Sequence, residues 1–592
     1  YWYYIDGTSP MSDDISLAGF SGNRSVAKDL PLAPFPSITV STSAHRICLR
    51  RRLFRWFRLG LGFTLMQAIL AATPVFSAER IYVNYSLFER SIAVDDLAVY
   101  ARKGELSKQL NSYARYLEPE QLEQLRTILL TPFDLDVVAI SQFLYTPQGE
   151  TLLRELGQII RAGGRQSGFF AIRAALILAA ADQQEGLTLL NVMQKFPTSS
   201  IRVDLGRAAE LARAIEVVIN QTHDAITLIE QQAYQEAAVE SELNPSSFAA
   251  RSIVAPGPFA WRMISLKSAS LDFPVDLYLP EELRAAETTR PMPIIVVSHG
   301  LGNDRTTFIY LAEHLASHGF VVAVPEHPDS SDEQLLALLE GRTNEVIPPD
   351  EFINRPLDIQ HLLDELERQA YIHPRLQGKL NLQQIGVIGQ SFGGYTSLAL
   401  SGARLNLSTL SSYCPPATDF FNVSLLLQCQ ALEISQSEQS LADSRIKAAI
   451  AVNPVGSALF GQENFSQIDI PLMVVAGSAD TVAPALAEQI RPFTWLTHSD
   501  RYLLLIRGAT HFSTIYEADS GAVPVPAAAI GPNPELAKDY LKAMSLAFFR
   551  THVADNSDYR PFLTAAYANL LSREPLGLSL IRSLAVDQLA NQ

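Results

Sequence analysis

The stretch that most restricts what this chain can become is residues 384–400, QIGVIGQSFGGYTSLAL. Residues 385–388 are a short apolar run that fits a buried strand. Gly389-Gln390-Ser391-Phe392-Gly393 follows, and then a run of small and apolar residues suited to a helix. A serine in G-x-S-x-G spacing between strand and helix sits on a turn so sharp that its backbone is strained. Its hydroxyl then stands above the sheet. Gly389 and Gly393 fit because a Cβ at either place would strike the neighbouring strand or helix. The plain alternative is a glycine-rich strand-to-helix turn with an inert serine, and the rest of the chain decides between the two.

Around this stretch the sequence alternates between strands and helices. Residues 262–267 and 273–279 alternate or run apolar. Residues 293–298, 320–324, 385–388, 448–452, 472–476 and 502–506 are continuous β-branched or leucine runs. Runs that are apolar on both faces predict a parallel sheet covered by helices. Helical patterns lie between them at 306–317, 356–370, 392–400, 484–490 and 534–551. The expectation is a doubly wound, mostly parallel α/β domain over residues 260–552.

A serine hydroxyl is a poor nucleophile at neutral pH and needs a base, and the base needs a group to orient it. On a strand–elbow–helix sheet these follow in the order serine, acid, histidine, each in a loop at the carboxyl edge of a strand. His511 follows the strand at 502–506 and the turn Arg507-Gly508-Ala509-Thr510, whereas His498 precedes that strand and lies at the wrong edge. Asp480 follows the strand at 472–476, so it is the candidate acid. Taken singly, a loop aspartate is usually a helix cap and a loop histidine usually solvated. Their order after Ser391 is what favours Ser391, Asp480 and His511 as one set. An oxyanion would need two aimed donors. The candidates are the backbone N–H of Phe392, next after the serine, and that of Leu301 in the loop Ser298-His299-Gly300-Leu301-Gly302. The His299 side chain is read as turn packing.

The first 78 residues read as leader. Residues 1–44 are rich in Ser, Pro and Gly, without periodicity, and read as disordered or as lying upstream of the true start, since the first methionine is Met11. A basic run at 46–58, an apolar run at 59–75 and small residues at Ser77/Ala78 follow in the order of an export signal. The apolar run of about 17 residues is at the short limit for a membrane span, so an anchor formed by residues 59–75 is the alternative. Cys48 precedes that run and is no lipoprotein cysteine. The whole chain of 592 residues carries a net charge of −16. Removing residues 1–78 takes away eight Lys/Arg and four Asp/Glu and moves this to −20. That excess argues against nucleic acid as a partner.

Residues 79–240 show helical periodicity, as in PEQLEQLRTILL, and are expected to form an all-helical domain with a structural or interaction role. Residues 241–259, rich in Pro, Ser and Gly, read as a linker and residues 553–592 as a partly helical tail. An insertion at 401–443 is more apolar than a plain connection needs, and is read either as a lid over an acyl pocket or as helices packed on the core. It holds both cysteines of the exported chain, Cys414 and Cys429, which are expected to pair outside the cytosol.

Taken in order, SHGLGNDRTTF, VVAVPEHPDSS, RPLDIQHLLDELE, GQSFGGY and RGATHF make residues 262–551 resemble the platelet-activating-factor acetylhydrolases and related dienelactone-hydrolase-like esterases. The resemblance implies an α/β-hydrolase fold and hydrolysis of short or lipid-derived acyl esters through Ser391 and His511, without metal or cofactor. One departure stands out. Plasma-type acetylhydrolases carry the acid after the strand next to the elbow, where this chain has Asn453. Asp480 lies one strand later. Residues 79–240 resemble an uncharacterised domain found ahead of α/β hydrolases in cyanobacteria. The cues are AERI, GELSKQLNSYARYLEPEQLEQLR and AALILAAADQQEGLTLLNVMQKFP. The chain therefore reads as an exported serine ester hydrolase acting on a small or lipid ester. The rivals are a peptidase on the same fold and a non-catalytic cell-envelope binding protein.

Overall fold

Strong, continuous β-branched runs become neighbours in one nine-stranded sheet of order β13-β12-β11-β10-β9-β7-β8-β6-β5. The computed structural model describes residues 77–592, apart from 86–87, 134, 244–252, 282–290, 415–421, 436–439, 516–524, 526 and 591–592. The leader up to residue 76, including the expected export signal, and the middle of the expected linker lie outside the described residues.

The strands are β5 (Trp261–Leu266), β6 (Val275–Pro280), β7 (Met292–Ser298), β8 (Val321–Pro325), β9 (Leu380–Gln390), β10 (Ile446–Val452), β11 (Leu472–Gly477), β12 (Arg501–Arg507) and β13 (Gly577–Ile581). The six from β8 to β12 in the sheet run parallel, while β6 and β13 pair antiparallel to their neighbours. Side chains alternate between two apolar layers. Ile294, Val387, Ala449, Val474 and Leu503 face one, with the helices Glu351–Ile372 and Phe392–Leu400. Ile295, Ile388, Ile450, Val475 and Leu504 face the other, with Ile309–Ser317 and Pro534–His552. Both faces are covered, which is why the central strands read as unbroken apolar runs.

The chain leaves β7 for β8 on one side and returns for β9 on the other. Ligands in open parallel sheets collect at the carboxyl ends of strands at such a reversal. Both the elbow and the loop after β7 sit there.

Three expectations change. The region after residue 79 is not all helical. Its helices surround a four-stranded sheet of order β2-β1-β4-β3, made of β1 (Arg80–Tyr85), β2 (Phe88–Ala93), β3 (Ile160–Ala162) and β4 (Ser200–Asp204). Ile81 and Ile201 bury one face of it in a core with Leu97, Leu153 and Ile172. These strands are three to six residues long. That is too short to show a period of two against the helical pattern around them.

The boundary at residue 240 is also crossed by packing. The helix Leu205–Leu243 runs 39 residues. Its stripe of Ala225, Ile229, Ala233 and Ala237, spaced by four, joins the core of the nine-stranded sheet beside Ile581 and Leu584. Gln232 donates to the Ser583 carbonyl at 2.8 Å, and Ala566 N–H donates to Glu240 at 2.9 Å. Residues 75–592 accordingly form one compact unit.

Last, the tail supplies an edge strand. β13 pairs with β12 from Leu503–Ile581 to Arg507–Gly577. Among the described residues no helix is long and apolar enough to cross a membrane.

Candidate active site

Each candidate side chain is delivered by a strand end. β9 runs straight into the turn at Ser391, whose backbone takes φ 56° and ψ −114°. A non-glycine residue there is strained, and such strain gathers at functional turns. Close approach explains both flanking glycines. A Cβ on Gly389 would lie 2.1 Å from the Gly393 carbonyl oxygen, and one on Gly393 would lie 2.1 Å from that of Ser298. The elbow thus rests directly on the loop that carries Leu301. The elbow helix is tied down from behind as well. Pro356 lies inside the helix Glu351–Ile372 and cannot donate to the Phe352 carbonyl. The Tyr395 hydroxyl donates to that carbonyl instead, at 2.5 Å.

Asp480 and His511 meet. Asp480 follows β11, and its Oδ1 accepts the N–H groups of Val482 at 2.9 Å and Ala483 at 2.7 Å. The capping reading of this aspartate therefore holds for one oxygen. The other oxygen, Oδ2, lies 2.7 Å from His511 Nδ1, with both side chains buried. The Ser391 hydroxyl makes no hydrogen bond to either among the described residues. Catalytic contacts are often loose in a free enzyme and tighten only with substrate. Backbone ties set the spacing: Gln390 Nε2 donates to the His511 carbonyl at 3.0 Å, and Ser391 N–H donates to the Val452 carbonyl at 2.8 Å.

Leu301 and Phe392 each keep a backbone N–H that donates to no acceptor among the described residues. The loop holding Leu301 is locked from below. His299 Nε2 accepts the His327 N–H at 3.0 Å, so its Nδ1 carries the proton and donates to the Gly300 carbonyl at 2.8 Å. Burial, with Arg355 adding, pushes His299 down to about 3, which keeps this neutral tautomer. Arg355 is fully buried, donates to the His299 carbonyl and to Ser330 Oγ, and stacks 4.7 Å from the centre of the Phe392 ring. His299 is thus a turn-packing residue, and its packing fixes the loop.

Asn453, at the place of the acid in plasma-type acetylhydrolases, ends β10 with φ 43°. Its Oδ1 accepts the Gly477 N–H at 3.1 Å, and its amide donates to the carbonyls of Thr510 and His511 at 3.3 and 3.4 Å. It braces the acid loop against the histidine loop.

Sequence reasoning missed Gln390, which stands inside the motif itself, and the second layer of His327, Asp358 and Arg355. VVAVPEHPDSS and RPLDIQHLLDELE each held part of that layer, but nothing local joins them.

Cys414 and Cys429 form a disulfide with Cα atoms 5.8 Å apart. Pro415 and Pro416, Phe420 and Phe421 lie outside the described residues. The described part of the insertion packs on the core through Leu410, Leu425 and Ala431. Gln428 anchors it by donating to Glu488 at 3.0 Å and accepting the N–H of Ala458, also at 3.0 Å. Ser424 N–H reaches the Val482 carbonyl at 2.9 Å, beside Asp480.

Comparison with known proteins gives two family matches. Residues 259–353 match the family described as platelet-activating factor acetylhydrolase, isoform II. Residues 77–204, the region of the small sheet, match one described as an alpha/beta hydrolase of unknown function. A cutinase of Thermobifida fusca is 23% identical over 317 residues, covering 52% of this chain and 80% of that protein. The platelet-activating factor acetylhydrolase of Canis lupus familiaris is 33% identical over 143 residues, covering 19% of this chain and 32% of that protein. That of Cavia porcellus is 26% identical over 166 residues, 23% of this chain and 37% of that one. Sheet order, elbow and matches agree: the chain is built on an α/β-hydrolase fold and resembles the platelet-activating-factor acetylhydrolases and the cutinases.

Proposed function

We propose that the protein is a serine ester hydrolase that works through an acyl-enzyme on Ser391. The observation that carries this is the Asp480–His511 contact of 2.7 Å at the strand edge where Ser391 stands on its strained turn. Ser391 Oγ attacks the ester carbonyl carbon while His511 Nε2 takes its proton. Asp480 holds the imidazole by Nδ1 and balances the charge it gains. The N–H groups of Leu301 and Phe392 receive the oxyanion. Collapse breaks the bond to the alcohol oxygen, which leaves with the proton from His511. Water then repeats the sequence on the acyl-enzyme and releases the acid. No step calls for a metal or cofactor.

The relatives' names, cutinase and acetylhydrolase, support an ester as substrate, and short or lipid-derived acyl groups are the class proposed. Export past Ser77/Ala78 is part of the same reading. The disulfide supports it, because such bridges persist where thiols oxidise.

The test is labelling by a fluorophosphonate probe, expected in the wild type and absent from Ser391→Ala. Acyl nitrophenyl esters should be cleaved and peptide anilides left intact. A labelled Ser391→Ala protein would refute the serine assignment, and cleavage of the anilides would favour a peptidase.

A further inference from the structure

The small sheet has two unlike faces. Ile81, Val83, Ile201 and Val203 turn into its core. The alternate residues Asn84, Arg202 and Asp204, with Arg161, line a cavity of about 460 Å³, together with Arg165 and Gly206. Arg161 and Arg202 stand directly opposite each other across the antiparallel pair β3–β4. Like charges in that register repel, and Glu89 beside Arg202 and Asp204 beside Arg161 offset part of that repulsion.

The arginines are held in place without being used up. Arg202 donates through Nε to the Gly163 carbonyl at 3.1 Å and through Nη1 to Glu89 at 2.6 Å, and lies 4.8 Å from the centre of the Tyr82 ring. Its Nη2 has no partner among the described residues. Arg161 donates through Nε to the Gln158 carbonyl at 3.0 Å and stays 3.8 Å from Asp204. Asp204 is turned toward the long helix, accepting the Arg207 N–H at 3.2 Å. Arg165 sits at φ 62° in the turn after β3, and its guanidinium has no partner among the described residues. Asn84 adds a second kind of observation. Its Oδ1 is buried with no hydrogen-bond partner, and it lines the same cavity. Its side-chain amide nitrogen makes no hydrogen bond among the described residues and is left as a donor.

We propose that this cavity binds the phosphoryl group of a small phosphorylated molecule. Guanidinium forks fit phosphate oxygens in pairs. The first turn of the helix Leu205–Leu243, with Gly206 in the lining, adds a positive dipole end. Three arginines outnumber Asp204 in the lining and Glu89 beside Arg202, which leaves the cavity positive in a chain whose net charge is −16. The volume is that of a small-molecule site, roughly 300–1,000 Å³, and exceeds what phosphate alone fills. Asn84 is placed to hydrogen-bond the remainder of the molecule. The site is separate from Ser391 and does not depend on the ester-hydrolase reading.

Calorimetric titration of the full chain, with inorganic phosphate in one arm and glycerol 3-phosphate in the other, tests this. Binding is expected in low-salt chloride buffer and should weaken at least tenfold in Arg165→Gln and in Arg161→Gln. Tighter binding of glycerol 3-phosphate assigns the cavity to a phosphate ester, and equal binding assigns it to phosphate itself. Either supports the site. Arg165 is exposed and makes no side-chain hydrogen bond or ion pair among the described residues, so Arg165→Gln should fold even if Arg161→Gln does not. No binding of either ligand at millimolar concentration, or Arg165→Gln binding as tightly as wild type, would overturn the proposal.

Discussion

Two serine–histidine–aspartate sets stand at the carboxyl edge of one sheet. In the first, His511 lies 2.7 Å from Asp480, and Ser391 occupies the neighbouring elbow. In the second, His327 lies 2.9 Å from Asp358 and 3.1 Å from the hydroxyl of Ser298. By contact distance alone the second set is the better connected. The settings differ. Ser298 ends a regular strand, is fully buried, and also receives Arg355 at 3.4 Å. Ser391 sits on a strained turn, 8% exposed, beside backbone N–H groups that have no acceptor among the described residues. Residue types and hydrogen bonds do not make a nucleophile. Access and a place for the oxyanion do.

The largest expected contrast is between the two serines. Ser391→Ala should cut turnover roughly 10⁶-fold, the size seen when a serine nucleophile is removed from a protease of similar chemistry. Ser298→Ala should leave turnover within about tenfold and destabilise by about 1–3 kcal/mol, because His327 and Arg355 lose a buried partner. Steady-state ester hydrolysis and urea unfolding read the two effects. A folded Ser298→Ala protein as inactive as Ser391→Ala would break the distinction.

The next contrast lies between the two acid positions of the first set. Asp480→Asn should lower turnover by about 10⁴-fold through loss of the correct tautomer. Moving the carboxylate back, as Asp480→Asn with Asn453→Asp, should restore nothing. The Asn453 amide donates to the carbonyls of Thr510 and His511, and a carboxylate would face those oxygens instead. Recovery of more than about a hundredfold over Asp480→Asn would show that the earlier strand still offers a working acid position.

The two sets were not equally readable in the sequence. The first follows chain order along apolar strands, so Ser391, Asp480 and His511 could each be assigned to a strand end. The second joins a strand end, a loop and the middle of a helix, and only the packed sheet brings Ser298, His327 and Asp358 together. The central strands were legible because burial on both faces leaves no polar positions. The start of β9, LNLQQ, was not, because it is polar. β13 is five residues long and was lost in the tail. Gln390 was in plain view, but its bond to the His511 carbonyl spans 121 residues and has no local signature.

The smallest effect concerns the charge of the second set. Asp358 is pushed up to about 8, chiefly by burial and next by Glu351, with Asp272 and Asp329 adding and Arg355 opposing. His327 is pushed well below its usual range, chiefly by burial, with Arg355 and His299 adding. The pair is therefore neutral at pH 7, with the carboxyl proton donated to His327 Nδ1. The folded protein thus holds a proton between roughly pH 4 and 8 that the unfolded chain has released. Stability then falls as pH rises through that window, by at most about 1.4 kcal/mol per pH unit, and levels off above pH 8. The His327 contribution has the opposite sign, with stability lost as pH falls below about 6.5, where the unfolded imidazole gains its proton. Asp358→Asn keeps a donor toward His327 but has no proton to lose. Measured by urea unfolding from pH 6.5 to 8.5, wild type should lose about 1–2 kcal/mol relative to Asp358→Asn. The His327 contribution lies below this range. A flat difference would make Asp358 an ordinary carboxylate paired with a charged His327. Burial and missing access alone would then have to explain why Ser298 is inert.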